Sequence, residues 1–436
     1  MQRRDILRLG ALATSLGLLA QKDALAEAKT ERASRGMPAP KIKDIQVIAT
    51  APGGQRLSVV KVVTDQDGLF GYGCATFAMR ADLVNVAVDE YLKPLLVGRP
   101  ANRIEDTWQL CQNSAQWRFG PVLNNAMSGV DEALWDIKGR QTGVPVYELL
   151  GGKCREAAET YIGFEGSDVT MAVEAARKAM AQGFRNFRAF PREPGPAPQG
   201  LEDAYEVFDP AASLRYGLKF LEECRKQLGD AVGLLYDMHR RATPNEAVQF
   251  AKDVESLKLF YLEDPFSNQD IPYYRQVRQQ CSTPIAMGEL FTNPNEWVPL
   301  INERLIDYMR MHLSAAGGVT PCRKAAAMGE LTGVRTSWHG SADISPIGHM
   351  ANVHLDLACY NFGIQEIRFY DPHTREVFKG VPEVKNGYVY ANDLPGWGIE
   401  VDEKAAAKYP YGANERNKLN GGWGEIRKPD GTIIKQ

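Results

Sequence analysis

The sequence predicts an α/β protein whose larger part is a (β/α)₈ barrel of the TIM type. Three acidic residues, Asp237, Glu263 and Glu289, follow one another at intervals of 26 residues, and each ends a short apolar run. An apolar run of this length is typical of a strand buried on both faces, and the interval is that of one strand and one helix. Reactive residues at the carboxyl ends of successive strands are typical of a barrel, whose active site is built at that face.

The individual runs indicate where the barrel strands lie. Strands are expected within residues 232–237, 259–263 and 284–289, and three further runs at 306–310, 334–339 and 362–366 continue the series, each ending in a polar residue. Between the first two acids, Thr243 is a helix cap and Pro244 suits the first helical turn. We therefore assign the barrel to residues 155–384.

A second domain is expected because the chain of 436 residues is longer than the roughly 250 residues of a single barrel. Residues 43–50 and 58–64 have the composition of strands, and residues 81–96, 104–114 and 122–141 have helical patterns. Strands followed by helices predict a small α+β capping domain at residues 41–154. Residues 385–436, with strand and turn signals at 388–401, are expected to return to that domain and complete it.

The N-terminus has the order of charge, apolar stretch and small residues that defines an export signal. Arg3 and Arg4 precede an uncharged stretch at residues 9–20, and Ala24 and Ala26 form a small-x-small cleavage site. This pattern predicts a twin-arginine signal peptide at residues 1–26 and a periplasmic protein, with a soluble amphipathic helix as the alternative. The stretch is too short to span a membrane. The seven cysteines are odd in number and lack paired spacing, so no disulfide framework is expected.

The charge balance gives no indication of a polyanionic partner. The chain carries 51 basic and 54 acidic residues and a net charge of −3, and this balance does not indicate binding to nucleic acid or to an anionic membrane. We expect a small-molecule ligand, no nucleic acid and no membrane insertion of the mature chain.

The three strand-end carboxylates are candidate metal ligands. Like charges a few ångströms apart raise one another's pKa values, so converging carboxylates need a neutralising partner. A site of carboxylate oxygens without Cys or His suits a hard divalent ion, and we predict one Mg²⁺ held by Asp237, Glu263 and Glu289. The alternative is that each acid only caps the helix that follows it.

The ordered motifs of the chain resemble those of the enolase superfamily, and within it the mannonate dehydratase branch. The capping segment contributes A-L-W-D-I-K from Ala133 and L-L-G-G from Leu149. The barrel contributes D-M-H-R-R-A-T-P from Asp237, E-D-P from Glu263, G-E ending at Glu289, H-G-S-A-D-I-S-P from His339 and N-F-G-I-Q-E ending at Glu366. The likeness extends from about residue 41 to residue 411.

The resemblance implies a Mg²⁺-dependent acid-sugar dehydratase that removes the proton α to a carboxylate, expels the β-hydroxyl and yields a 2-keto-3-deoxy sugar acid. His239 lies two residues past Asp237, on the same strand face, and is the candidate acid for the leaving hydroxyl. His339 is the candidate base, or a ligand of the substrate hydroxyls. Arg310, Asp343 and Glu366 match positions that line the substrate, and a homo-oligomer is expected.

Four departures from this branch fall at the substrate end. Most of the superfamily has Lys on the second strand, whereas Arg188 stands here as in the mannonate dehydratase branch, and an Arg takes a proton only with help. The branch supplies a Tyr in the loop that follows, but no Tyr occurs here before Tyr205. Ala78 replaces an Asn, Gly163 replaces a His, and Gln436 replaces a terminal Trp.

Two alternatives to a dehydratase follow from these departures. A racemase or epimerase of the same superfamily would form the same enediolate and reprotonate it from the opposite face through His339. A non-catalytic sugar-acid-binding protein, of the kind labelled starvation-sensing, is favoured by the missing Tyr and the missing first-strand His. Retention of the three carboxylates and both histidines disfavours that second alternative.

Overall fold

A computed structural model describes residues 38–164, 168–190, 206–340, 343–411 and 426–434. The predicted signal peptide at residues 1–26, Tyr205 and Gln436 lie outside the described residues. The fold is α/β, with an N-terminal α+β part ahead of a barrel, as the sequence predicts.

The N-terminal part begins with a three-stranded antiparallel sheet. Its strands are adjacent in the order β1 (Ile42–Thr50), β2 (Leu57–Thr64) and β3 (Phe70–Cys74). The α-helices that follow are α1 (Ala81–Val86), α2 (Lys93–Leu96), α3 (Ile104–Asn113), α4 (Pro121–Thr142) and α5 (Val146–Leu149). The single helix expected at 81–96 is interrupted by a π-helical segment, Ala87–Leu92. The backbone N–H of Lys93 bonds the carbonyl of Val88 there, and the next residue, Pro94, has no N–H to donate.

Helix α4 packs directly on β3 because two glycines remove the side chains between them. A Cβ at Gly73 would lie 2.0 Å from the carbonyl oxygen of Gly129, and one at Gly71 would lie 2.3 Å from that of Ala133. Neither distance is possible for a real side chain. The alternating F-G-Y-G-C of β3 therefore permits a helix–sheet contact that larger residues would prevent.

The barrel is a closed ring of eight parallel strands. The strands after β3 are β4 (Ala158–Gly163), β5 (Asn186–Ala189), β6 (Glu206–Val207), β7 (Gly233–Asp237), β8 (Tyr261–Glu263), β9 (Ile285–Met287), β10 (Tyr308–Met309), β11 (Arg335–Thr336) and β12 (Gln365–Glu366). All but β6 belong to the ring, in which β12 pairs with β4. A parallel bridge between Thr336 and Phe362 joins β11 to the segment before β12 and closes it.

Helices separate the barrel strands, and the one predicted after Thr243 is among them. They are α6 (Val169–Ala181), α7 (Pro210–Leu228), α8 (Pro244–Asp253), α9 (Tyr274–Gln280), α10 (Pro294–Asn302), α11 (Leu313–Ala316), α12 (Val319–Thr332) and α13 (Pro346–Ala358). Two more helices, α14 (Pro372–Val377) and α15 (Glu403–Ala406), follow the last barrel strand. Thr243 caps α8 in a capping box with Glu246, as its sequence indicates. Among the described residues no helix is both long and apolar enough to cross a membrane.

The chain after the barrel contacts both parts of the molecule. Its strands are β13 (Phe378–Lys379), β14 (Glu383–Lys385), β15 (Tyr388–Tyr390), β16 (Glu400–Val401) and β17 (Ile426–Arg427). β15 pairs antiparallel with barrel strand β4 rather than with the first domain. Further along, the backbone N–H of Trp397 donates to Asp136 of α4 at 2.9 Å, and Tyr409 accepts from Ala51 at 2.6 Å. The boundaries at residues 154 and 384 stay a prediction.

Three buried carboxylates of α4 connect the helix to its neighbours. Asp131 accepts from the backbone N–H of Thr320 at 2.9 Å, Glu132 from that of Cys74 at 2.8 Å, and Asp136 from that of Tyr72 at 2.9 Å. Burial raises the pKa of the three groups to about 7, 8 and 6, respectively. Asp131 thus fixes α4 to the first turn of barrel helix α12.

The burial of the neutral His354 imidazole in α13 predicts that the folded protein loses stability in mild acid. It is fully buried, its Nδ1 accepts from the backbone N–H of Tyr147, and burial lowers its pKa to about 3. The unfolded chain binds a proton below about pH 6.5. The folded chain does not do so until about pH 3, so the stabilisation present above pH 6.5 declines as the pH falls. The loss reaches about 2–3 kcal/mol by pH 4.5.

Thermal unfolding of His354→Gln between pH 7 and pH 4.5 checks this prediction. Gln retains an acceptor for Tyr147 but does not titrate, so the variant should lose less stability on acidification than the wild type. His373→Gln, at an exposed site, is the matched control and should keep the wild-type dependence. An unchanged pH dependence in His354→Gln would refute the assignment.

Candidate active site

The three predicted metal ligands converge at the carboxyl end of the barrel. The parallel register of β7 and β8 places Asp237 directly beside Glu263. Glu289 follows two residues after the end of β9, the next strand of the ring. The side chains of Asp237 and Glu263 are fully buried, and that of Glu289 is 16% exposed. The 26-residue interval thus equals the register offset of β7 and β8, whereas Glu289 lies three residues beyond Ala286, the register partner of Glu263.

Two arginines from other strands lie among these carboxylates. Arg310 donates from Nε to Glu263 Oε1 at 2.7 Å and from Nη2 to Glu366 Oε2 at 2.6 Å. Arg188 lies with Nη2 3.0 Å from Glu366 Oε1, and its Nη1 is 3.5 Å from Glu263 Oε1 and 3.6 Å from Asp237 Oδ2. Arg188, Arg310 and Glu366, all singled out from the sequence, thus join the metal-site carboxylates in one network.

A third arginine, which the sequence analysis missed, holds Glu289. Arg240 Nη1 donates to Glu289 Oε2 at 2.9 Å and also ion-pairs with Asp264. The backbone here is left-handed, with φ of 46° at His239, 61° at Arg240 and 41° at Asp264. Such conformations persist only where the surroundings hold them. Arg240 N–H bonds the carbonyl of Asp264 at 2.8 Å, which supplies part of that support.

The electrostatics of the cluster are uneven. Burial raises the pKa of Glu263 well above its usual value, and adjacent Asp237 raises it further although Arg310 opposes both. Burial also acts on Asp237 and Glu289, but His239 lowers the pKa of Asp237, and Arg240 lowers that of Glu289. Of the three carboxylates, Glu263 is therefore the one whose ionised form the surroundings disfavour.

The donor set fits a hard divalent cation. Glu263 Oε2 is buried and accepts no hydrogen bond from the described residues. A buried carboxylate oxygen without a donor is costly unless a cation contacts it. The neighbouring donors, Asp237 and Glu289, are also carboxylates, and all-oxygen ligation suits Mg²⁺. The residues present therefore fit the predicted ion.

The two candidate catalytic histidines contact different carboxylates of the cluster. His239 Nε2 lies 2.9 Å from Asp237 Oδ2, which confirms that the two side chains lie together. Burial lowers the pKa of His239 although Asp237 opposes the shift. His339 Nε2 lies 3.7 Å from Glu289 Oε1 and 3.9 Å from Glu366 Oε2. One imidazole thus lies on the β7 side of the cluster and the other on the β11 side.

Asp343 and an unpredicted histidine, His312, lie behind His339. Asp343 Oδ1 is 3.7 Å from His339 Nδ1, and Asp343 Oδ2 is 3.9 Å from His312 Nδ1. His312 Nδ1 is 2.8 Å from His339 Nδ1. The signal that finds His312 is its interval of 27 residues to His339, which equals the register offset of Tyr308 and Arg335 in the parallel pair β10 and β11.

Glu366 is held ionised by its partners. Arg310 and Arg188 lower the pKa of Glu366 far below its usual value despite burial, and the backbone N–H of Gly340 donates to its Oε2 at 2.9 Å. Beneath it, the hydroxyl of Tyr161 accepts from Arg188 Nη1 at 3.4 Å. Sequence reasoning missed Tyr161 because an aromatic residue within a β-strand reads as part of the core.

Two of the four departures are visible in the structure. Gly163 ends β4 opposite Arg188, and a Cβ built on it meets nothing within 4 Å, so a side chain there would have room. Ala78 begins a 3₁₀ turn, and its carbonyl accepts from Arg56 at 2.6 Å. The departures at Tyr205 and Gln436 lie outside the described residues.

Comparison with known proteins finds the same two-part architecture. Residues 32–151 match the N-terminal domain of the mandelate racemase / muconate lactonizing enzyme family, and residues 171–405 match the enolase C-terminal domain-like family. A D-galactonate dehydratase family member from Pantoea ananatis is 46% identical over 416 residues, covering 90% of this chain and 98% of that protein. Another, from Paenibacillus sp., is 40% identical over 414 residues and covers 91% and 99%.

Solved structures agree with these relatives. An enolase from Pantoea ananatis with bound D-gluconate and Mg is 46% identical, has a TM-score of 0.86, and covers 91% of this chain and 100% of that one. An enolase-superfamily member from Salmonella Typhimurium is 26% identical, with a TM-score of 0.76 over 85% and 98%. The mannonate dehydratase branch stays a prediction.

Two family models match the chain, and the relatives are similar to it over about 90% of its length. This chain therefore belongs to the enolase superfamily, with the mandelate racemase / muconate lactonizing enzyme type of N-terminal domain.

Proposed function

We propose that this protein is a Mg²⁺-dependent acid-sugar dehydratase, a hydro-lyase that converts a sugar acid into a 2-keto-3-deoxy sugar acid. The observation that carries the proposal is the buried carboxylate cluster with a histidine on either side. The relatives at 40–46% identity are described as D-galactonate dehydratase family members, and the similar solved enolase holds D-gluconate and Mg. A mannonate- or gluconate-type acid is the substrate class that we favour.

Asp237, Glu263 and Glu289 would hold the Mg²⁺. When bound, the ion supplies positive charge beside the substrate carboxylate and so makes loss of the neighbouring α-proton less costly. Arg310 and Glu366 hold each other at the side of the cluster and would orient the sugar. Asp343, which is partly exposed, is placed to meet a substrate hydroxyl.

The two histidines divide the proton transfers between them. His339 accepts the α-proton at Nε2, and His239 gives a proton to the β-hydroxyl, which leaves as water. The resulting enol becomes the 2-keto-3-deoxy acid. Arg188 is an unsuitable base on its own, because its carboxylate and phenol neighbours raise its pKa well above its usual value although burial opposes them. Its place beside Glu366 and Tyr161 suits electrostatic support of the same step.

A racemase or epimerase remains the second candidate, because two imidazoles beside different carboxylates also suit proton removal and return. The reactions differ in product: only dehydration forms a 2-keto acid. The purified mature protein with Mg²⁺ should be screened against a library of acid sugars. A 2-keto-acid reagent should detect product from at least one. Binding without a 2-keto product from any would refute the dehydratase; α-proton exchange with solvent would then indicate a racemase or epimerase, and its absence a binding protein.

The division of labour predicts different defects in the two histidine variants. His239→Asn should stop product formation yet retain exchange of the α-proton with solvent deuterium, because exchange needs only the ion and the base. His339→Asn should lose both. Each loss should be about 10²- to 10⁴-fold, the usual contribution of general acid or base catalysis. NMR of α-proton exchange in deuterated buffer measures both, and full exchange in His339→Asn would transfer the role of base to Arg188 assisted by Tyr205.

The metal assignment predicts that Glu263→Gln binds Mg²⁺ at least about tenfold more weakly. The change removes one negative charge while keeping the shape of the side chain. Titration calorimetry measures the affinity, and Glu303→Gln, on an exposed helix end, is a control that should bind normally. An unchanged affinity in Glu263→Gln would remove Glu263 from the ligand set.

We further propose that residues 1–26 direct export to the periplasm by the twin-arginine route. The Arg3-Arg4 pair is read by a receptor, so a double change to Lys should leave precursor in the cytoplasm although charge and hydrophobicity are unaltered. Cell fractionation tests this. Normal amounts of periplasmic protein from the double variant would contradict the assignment.

A further inference from the structure

We propose that His312 is a positioning residue that holds His339 through a hydrogen bond between their Nδ1 atoms. His339 is the donor, so its Nε2 carries no hydrogen and is able to accept a proton. This inference deepens the proposed function and rests on His339 being the base. It assigns a role to a residue that is not among the predicted site residues.

The geometry of the two rings carries the proposal. The Nδ1 atoms are 2.8 Å apart, and the ring centroids are 5.0 Å apart with 38° between the planes. Both residues are buried, with 5% of His312 and 4% of His339 exposed. The backbone N–H of His339 donates to the carbonyl of Met311 at 2.9 Å, so the strand pairing itself places the two histidines side by side.

A contact of 2.8 Å between two imidazole nitrogens requires one shared proton. Two N–H groups would repel each other, and two bare nitrogens would repel through their lone pairs. Burial lowers the pKa of His312 to about 4, so His312 is neutral at pH 7 and is able to accept. A neutral imidazole carries a single N–H. If His339 donates from Nδ1, its Nε2 is therefore unprotonated.

The unprotonated Nε2 of His339 is the ring nitrogen that faces the reaction centre. His339 Nε2 lies toward Glu289 and Glu366, whereas Nδ1 lies toward His312 and Asp343. When His339 takes the α-proton, its Nδ1–H remains bonded to His312, and the carboxylate of Asp343 lies near the new positive charge. The bond to His312 thus fits both the free base and its protonated form.

A metal ion is the competing explanation for this cluster. His312, His339 and Asp343 present ligand atoms close enough together to hold one. The 2.8 Å separation lies in the middle of the hydrogen-bond range, which favours the shared proton. The experiment therefore includes a test for a second ion.

The first measurement observes the tautomers directly and does not depend on activity. The full chain has six histidines, so ¹⁵N-histidine NMR with Mg²⁺ present is tractable, and His339→Asn identifies the His339 signals. In the wild type His339 should carry its proton on Nδ1, with a ¹⁵N–¹⁵N coupling across the bond to His312. A proton on Nε2 of His339, or no coupling to His312, would overturn the proposal.

The second measurement uses variants of His312. In His312→Phe the tautomer of His339 should no longer be fixed, and α-proton exchange and kcat should fall together by about 10- to 100-fold with KM little changed, as for other partners that orient a functional group. His312→Asn, which retains an acceptor, should recover part of the rate. Equal rates in His312→Phe and wild type would contradict the role.

Two controls separate the explanations. Mg²⁺ affinity and thermal stability should be similar in His312→Asn and the wild type. Elemental analysis that finds a second ion per chain, lost in His312→Phe, would replace the hydrogen bond with a metal site. If no acid sugar reacts but the NMR shows the expected tautomer, the proposed function fails while the His312–His339 bond stands.

Discussion

The mutual repulsion of buried carboxylates at the barrel mouth is the constraint on which the rest of this site depends. Asp237 and Glu263 are paired in register, and Glu289 and Glu366 lie close by. Three arginines, Arg188, Arg240 and Arg310, each contact two or more carboxylates of the site and offset part of this charge. Glu263 Oε2 accepts no hydrogen bond from the described residues, and a divalent cation would complete the balance there. Without the cation, carboxylates arranged in this way would repel an anionic ligand. With the cation bound, the site favours a ligand that is itself an acid.

Hydrogen bonds from surrounding helices hold the backbone of the residues that form the cluster. Helix α13 carries Asn352, which donates to the carbonyl of His339 at 2.9 Å, and His349, whose Nε2 lies 3.1 Å from the carbonyl oxygen of Glu366. One helix thus fixes the ends of two neighbouring strands. The capping part is held to the barrel in a comparable way by Asp131 of α4 and Thr320 of α12.

Sequence spacing was a good predictor wherever strand register decides position. The interval of 26 residues found Asp237 and Glu263 because these residues are direct neighbours in the parallel pair β7 and β8. The offset of two found His239, although its left-handed backbone shows that the strand has already ended there. Register within a closed barrel is thus the physical basis of what the pattern predicted.

Other features depend on contacts that no local pattern encodes. Arg240 and Asp264 meet only after both loops turn through left-handed conformations, and in the sequence each looks like an ordinary surface charge. In the sequence, Tyr161 resembles a core residue because it is an aromatic residue within a β-strand. Only the fold shows that the guanidinium groups of Arg188 and Arg310 lie over its ring. The pairing of β15 with β4 joins residues more than 200 positions apart, which spacing along the chain does not reveal.

The measurement that tests the account most directly is electron–nuclear double resonance on the protein loaded with Mn²⁺ in place of Mg²⁺ and with D-gluconate labelled with ¹³C at the carboxylate. We predict one bound Mn²⁺ per chain and a ¹³C coupling that shows the sugar carboxylate to lie beside the ion. A bound ion that shows no ¹³C coupling while D-gluconate occupies the protein would contradict it.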